Sequence, residues 1–468
     1  MGLVGGLAAD RPVLVAILLA FGAAALAAVG VNDARDAGIG SADLADLLLA
    51  FLVLPVLPLL LAAAAPRSLA GRLAFAAVVA LALLAVDAAA PSLQLAWLTP
   101  DRRLLTAVFV LTLFLVLIAP ACGAYVKLAF IGAAAAVLGA AGAAGVLRYE
   151  GVPLDQIGLV TALGVALGVV VAVGIAADHA AFFARGADKR RAAGLAAREA
   201  GAPALFAVIV CAAAFPLRAQ LAPLGEQTLD LVWVSGVAGA LSILCALFIT
   251  AGALSLHRVT EALAVEENAR TQAQRRFWRP LRNALPVRSA FAAAAIVGIV
   301  LVIAAFEMAL APTWRDIAFV GVVSAAAALV FFSLRAGVFV FASLVAASVL
   351  SLWISQLAGV AIPAAPMDTA GLTLAGVVFG QFALAWREAR SPRLNARETM
   401  EAAMTDGMGR FLLSLSSGAA ALYAAGVSGA APEASGAAGY ALCLGLIGAL
   451  MAPALMTALS GLTGRDQF

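Results

Sequence analysis

Charged residues are scarce in this sequence: Asp, Glu, Lys and Arg make up only 12% of its 468 residues, against about 25% in soluble domains. Hydrophobic residues make up 64%, which is more apolar surface than a water-soluble fold can bury. Soluble enzymes, disordered proteins, coiled coils and nucleic-acid-binding proteins are therefore excluded. Because the apolar runs are continuous over about 20 residues and do not alternate with polar ones, we predict an all-α polytopic membrane protein.

Cysteine is also rare, with four residues in the chain. Cys122, Cys211, Cys245 and Cys443 show no paired spacing, so we expect neither a disulfide framework nor a metal site. The sequence contains no P-loop, no H-E-x-x-H and no G-x-S-x-G motif. We therefore predict a protein that is not an enzyme and has no cofactor.

The apolar runs predict fourteen transmembrane helices when the sequence is read in windows of about 19 residues. The segments between the runs are short, so neighbouring helices should alternate in direction. The predicted spans are 12–30, 43–65, 69–90, 103–120, 125–147, 157–184, 202–220, 229–256, 289–311, 317–334, 337–358, 369–386, 410–427 and 437–460.

The basic residues are distributed unequally between the two sides of the predicted bundle. If the N-terminus lies inside, six of the 29 Lys and Arg residues fall in outer segments and the other 23 in inner ones. Lys and Arg are enriched in cytoplasmic loops. We therefore expect a multi-pass protein of the bacterial inner membrane with both termini in the cytoplasm. Anionic membrane lipids are expected partners of the basic inner segment 257–288.

Two stretches of the chain are similar to each other. Residues 151–199 and 359–398 each contain a Gly-Val turn, an apolar helix, a polar pair and a basic segment that ends in Ala-Arg-Glu. The polar pair is Asp178-His179 in the first stretch and Gly380-Gln381 in the second. Both stretches cross the membrane in the same direction, so we predict a parallel repeat about an axis along the membrane normal. Its halves are 1–256, with an inserted membrane hairpin at 43–90, and 289–468, joined by a cytoplasmic linker helix at 257–288.

Several segments resemble the RND superfamily and, within it, the MMPL-type lipid exporters. The similar segments are GIAADHAAFFARGADKRR (174–191), LVFFSLRAGVFVFASLVAA (329–347) and SLSSGAAAL (414–422). The resemblance implies two RND-like six-helix bundles and proton-linked transport of a hydrophobic or lipid substrate. The hairpin at 43–90 and the short segment 311–316 stand where that family has periplasmic porter domains. Substrate is therefore expected to enter sideways from the bilayer, or a separate periplasmic or lipoprotein partner supplies the porter function.

Asp178 is the most informative single residue, because it lies inside a predicted span. Ionisable residues are costly in the bilayer and are seldom placed there without a partner. The adjacent His179 is of the residue type that titrates near neutral pH. Family resemblance suggests Gln381, Ser416 and Ser417 as facing partners. These five residues form the predicted proton relay; the alternative is that Asp178 only fastens helices together by a hydrogen bond.

Small residues mark helix surfaces that can approach closely. Gly164 and Gly168 form a G-x-x-x-G motif, and Gly174 lies further along the same helix. We predict that all three serve helix packing. Two functions remain open at this stage: a proton-linked transporter core, or a non-transporting scaffold or lipid-sensing subunit built on the same helices. Either is compatible with a homo-oligomer.

Overall fold

A computed structural model describes residues 12–36, 41–66, 68–89, 102–122, 126–219, 226–256, 314–358, 365–389, 396–432 and 434–462. All regular elements in these ranges are helical. They are α1 (Pro12–Asp36), α2 (Ser41–Phe51), a π-helical turn (Leu52–Val56), α3 (Leu57–Ala64), α4 (Leu69–Ala89), α5 (Arg102–Cys122), α6 (Val126–Tyr149), α7 (Leu154–Ala184), α8 (Lys189–Glu199), α9 (Gly201–Ala219), α10 (Glu226–Leu256), α11 (Trp314–Val330), α12 (Leu334–Ala358), α13 (Ala365–Ala389), α14 (Ala396–Val427) and α15 (Ala434–Leu462).

The helices have the length and composition of a membrane protein, as the apolar runs predict. Within the described ranges, ten stretches are long and apolar enough to cross a bilayer. Three shorter apolar helices coincide with the predicted spans 103–120, 317–334 and 437–460. The predicted span 289–311 and the linker 257–288 lie outside the described residues. Helices suit this environment because they satisfy every backbone hydrogen bond within one segment.

The helices pack in two groups that share an interface. In one group α7 contacts α6 and α10, and α9 contacts α10; in the other α13 contacts α14 and α15, and α12 contacts α15. Across the interface α7 contacts α13 and α14, while α9 contacts α11 and α13. This arrangement places α7 and α13 at the centre of the molecule.

α7 is the most enclosed helix, and its small residues explain how the neighbouring helices come so close. A Cβ added at Gly164 would lie 2.7 Å from the carbonyl oxygen of Ala238 in α10. One added at Gly168 would lie 2.7 Å from the Cβ of Ala136 in α6. These two glycines therefore let α7 lie against two helices at once, in the manner of small-residue membrane interfaces.

The N-terminal hairpin at 43–90 lies only partly at the periphery of the described helices. Its second arm, α4, contacts α5 and exposes large apolar side chains such as Leu73 and Leu81, which suits contact with lipid. The first arm is different, because α3 packs against both α5 and α6 and the π-helical turn also reaches α14. Leu47, Phe51 and Leu59 are fully buried there. An apolar run shows that a helix can cross the bilayer, but it does not show whether lipid or protein surrounds it.

Two segments expected as basic loops contain helix. Residues 189–199 form α8, whose first turn is capped by Asp188: its Oδ1 accepts a hydrogen bond of 2.9 Å from the backbone N–H of Arg191. α14 begins at Ala396, fourteen residues before the predicted span at 410–427. Arg410 consequently lies within a long helix and not at the end of a loop.

Candidate functional site

An ion pair joins the two helix groups inside the bundle. Nη1 of Arg410 on α14 donates a hydrogen bond of 2.6 Å to Oδ1 of Asp178 on α7. The side chain of Asp178 is 18% exposed and that of Arg410 is 22% exposed. A short hydrogen bond between two charged groups is among the stronger ones that proteins make.

The local sequence explains why both side chains reach the same level of the bundle. Asp178 lies two turns before the end of α7 at Ala184. Arg410 lies where α14 changes from the polar segment 396–409 to the apolar stretch that begins at Phe411. The long side chain of an arginine at such a boundary can reach along the helix surface to a polar partner. Both residues therefore lie near one end of the bundle, next to the basic segment that follows α7.

A cavity of about 40 Å³ adjoins the ion pair. Its polar lining comes from Asp178, Arg410 and Gln381, and its remaining wall is apolar. Gln381 on α13 donates from Nε2 to the backbone carbonyl of Val170 on α7, at 3.0 Å. Four helices therefore meet at this cavity: α7, α13 and α14 contribute the polar groups, and the start of α9 contributes Pro203.

Asp178 and Arg410 stabilise each other because both carry a charge inside an apolar bundle. A charge inside an apolar bundle is costly unless it is paired, and removing one member of such a pair leaves the other uncompensated. Loss of the charge on Asp178 would therefore leave the guanidinium group of Arg410 uncompensated. Since the pair joins two helix groups, the same event would weaken the link between them.

The predicted relay residues differ in how they relate to this cavity. Asp178 and Gln381 line it together, as the sequence suggested. His179 is buried and its ring stacks on Phe183, with ring centroids 6.5 Å apart. The hydroxyl of Ser416 donates to the carbonyl oxygen of Leu412 in its own helix at 2.8 Å. Ser417 is fully buried, and neither it nor Ser416 is among the residues that line the cavity.

The three glycines predicted to pack helices also separate into two kinds. Gly164 and Gly168 are in close contact with neighbouring helices, whereas Gly174 lines the cavity. The closest group to a Cβ added at Gly174 would be Nε2 of Gln381, at 3.6 Å. This distance is an ordinary van der Waals contact, so Gly174 borders the cavity and does not bring two backbones together.

Sequence reasoning missed Arg410, which it counted only as one of the basic residues on the inner side. One signal was available: a buried acid requires a partner, and Arg410 directly precedes an apolar run. Arg185 and Arg387 also lie next to apolar helices, so spacing alone did not select among them. Only the packing of α7 against α14 identifies the partner.

Comparisons with known proteins do not identify a function for this chain. No protein-family model matches the chain, and no curated protein matches it. Function is therefore argued from the chemistry of the site, which carries functional information that a fold does not.

Proposed function

We propose that this chain is the membrane core of an RND-like transporter of the MMPL type. In this proposal it moves a hydrophobic or lipid substrate in the bacterial inner membrane and is linked to protons through Asp178. The observation that carries the proposal is the ion pair between Asp178 and Arg410, which connects the two helix groups next to a polar cavity. An ionisable pair at such a junction is typical of membrane proteins that move protons or substrates.

The helix contacts support a pseudo-twofold repeat. If α5, α7, α9 and α10 correspond to α11, α13, α14 and α15, the contacts between the groups are reciprocal: α9 contacts α11 and α13, and α14 contacts α5 and α7. Helices α7 and α13, which correspond to each other, are in mutual contact. A parallel repeat about an axis along the membrane normal would produce these contacts.

The mechanism that we propose has two states of Asp178. While the carboxylate is charged, it holds Arg410 and so fastens α14 to α7. A proton on Asp178 removes that attraction and leaves the guanidinium to find water or another acceptor, which favours a different packing of the two groups. Alternation between the two states would couple proton passage to movement of one half against the other.

The cavity is large enough for water and protons but too small for a lipid substrate. A buried water needs roughly 10–15 Å³ of such space, so the cavity of about 40 Å³ holds about two or three waters and no lipid. A hydrophobic substrate would have to travel elsewhere, along the lipid-facing helices or through a separate partner. The substrate and the proton would then use different places in one bundle.

The proton step is tested by substitution of Asp178 by Asn, which keeps the size of the side chain and its acceptor oxygen but fixes its charge at zero. Infrared difference spectra of the purified protein between acid and alkaline pH contain the bands of all 26 Asp and Glu residues. Subtraction of the Asp178→Asn spectrum from the wild-type spectrum should leave one protonated carboxyl band, that of Asp178. Complementation of a deletion strain, normalised by quantitative blotting, should show loss of cellular function. Asp188→Asn is the matched control, because Asp188 is an exposed helix cap that Asn can replace.

Two results would contradict the proposal. Absence of a carboxyl band from the subtracted spectrum would show that Asp178 takes up no proton. Full complementation by this variant would reduce Asp178 to a packing residue and would favour the non-transporting scaffold or lipid-sensing subunit.

A further inference from the structure

α8 is a short amphipathic helix between two long apolar ones. Its buried side is made entirely of small residues: Ala192, Ala193, Gly194, Ala196 and Ala197. The other side is exposed and carries Arg191 and Arg198. These arginines are seven residues apart, so they lie on the same face, about 10 Å from each other along the axis.

The position of α8 is fixed by its neighbours. It follows the end of α7 at Ala184 through a turn in which Gly186 has a φ of +90°, and α9 begins at Gly201, directly after it. An 11-residue helix with four Lys or Arg residues cannot lie in hydrocarbon. If the chain spans a membrane, α8 therefore lies at the level of the lipid headgroups, with its small residues against the bundle and its arginines exposed.

The charge of this face is complementary to phosphate. Arg190, Arg191 and Arg198 are exposed, and within the described residues no ion pair involves their side chains. Leu195 is half-buried between Arg191 and Arg198 on the same face. An apolar side chain flanked by two guanidinium groups suits an acyl chain next to its phosphate.

We propose that α8 binds the headgroups of anionic phospholipids through Arg191 and Arg198. This inference requires that the chain spans a membrane, but it does not depend on proton transport. It has a consequence for the candidate site, because α8 ends at Glu199 and the next residue, Ala200, lines the cavity together with Pro203. A bound lipid would therefore lie next to one wall of the ion-pair cavity.

The test compares lipid retention by the purified full-length protein. Native mass spectrometry from nanodiscs that mix phosphatidylcholine with phosphatidylglycerol should show preferential retention of phosphatidylglycerol by the wild type. Arg191→Gln/Arg198→Gln should lower that preference about thirtyfold, since each of the two basic residues near the surface contributes roughly 1 kcal/mol. Arg103→Gln/Arg148→Gln is the matched control: it removes the same charge from other helices and should retain the preference. Equal elution of all variants in gel filtration establishes that they are folded.

Several outcomes would overturn the proposal. Phosphatidylglycerol retention that is unchanged in the α8 variant, or equally reduced in the control, would show that these arginines do not form the site. Displacement of the lipid by millimolar inorganic phosphate would show that the face binds free phosphate and not a membrane lipid.

Discussion

The two similar stretches of the sequence have side chains of different polarity at aligned positions: one is charged and the other is apolar. In the first, Asp178 faces Arg410 across the interface at 2.6 Å. In the second, the aligned residue is Gly380, which faces Phe206: a Cβ added at 380 would lie 2.5 Å from Cε1 of that ring. The rings of Phe206 and Phe331 lie 5.2 Å apart, and both are close to Gly380.

The two positions that the predicted repeat aligns therefore differ in the side chains that surround them. Both positions lie where a helix of one group meets a helix of the other. Of these two positions, only the first has a titratable group. At the second, an aromatic side chain fills the space, which makes that junction a packing contact. Three substitutions test the contrast, and we give them in order of decreasing expected effect.

The largest effect is expected for Arg410→Leu. It leaves the carboxylate of Asp178 inside the bundle without its partner, which should lower the free energy of unfolding by about 3 kcal/mol. Reversible unfolding in mixed micelles titrated with SDS measures the change. The double variant Asp178→Asn/Arg410→Gln should recover most of the loss, because it leaves no uncompensated charge. No recovery in the double variant would show that Arg410 stabilises by packing and not by its charge.

A smaller effect is expected for Gly380→Ala. The added methyl group would press on the ring of Phe206, and overpacking of this kind costs about 1–2 kcal/mol. Gly321→Ala on α11 is the control, because a Cβ there has nothing within 4 Å and should leave stability unchanged or slightly raised. Phe206→Leu should relieve the strain of Gly380→Ala. Equal stability of Gly380→Ala and Gly321→Ala would contradict the proposed apolar junction.

The smallest effect is expected for Gln381→Leu, which removes the hydrogen bond from Nε2 to the carbonyl oxygen of Val170. Hydrogen bonds between membrane helices contribute about 0.6 kcal/mol on average. Ser416→Ala is the matched control, since the Ser416 hydroxyl bonds within its own helix, and it should change stability less. The same micelle titration measures both variants. A larger loss in Ser416→Ala would show that Gln381 does not help to hold α13 against α7.

The fold class was predictable because it depends on composition and on the length of apolar runs. A run such as 157–184 can only be a buried or membrane-spanning helix, and α7 confirms it as helix. The site was predictable in part. Asp178 was selected by the cost of a charge in an apolar span and Gln381 by family resemblance, and the structure places both at one cavity.

The partner of Asp178 was not predictable, because several arginines sit at the ends of apolar runs and local sequence does not rank them. The length of α14 identifies the partner. This helix continues through the polar segment 396–409, so Arg410 lies on a helix that packs against α7, and its side chain reaches Asp178. His179 and Ser416 were predicted as relay residues, and neither is among the residues that line the cavity. Residues next to each other in sequence point about 100° apart on a helix, so a polar neighbour of a site residue need not reach the site.

The sequence by itself determined that this protein is a bundle of apolar helices with one acid inside a span, because those properties follow from residue type and from the 1.5 Å rise of a helix. Only the tertiary structure decided that Arg410 pairs with Asp178, that the first arm of the N-terminal hairpin is buried, and that Phe206 packs against Gly380. Each of these depends on which helix faces lie together. Lipid and protein interior are equally apolar, so hydrophobicity does not specify such contacts; close packing and the pairing of buried charge do.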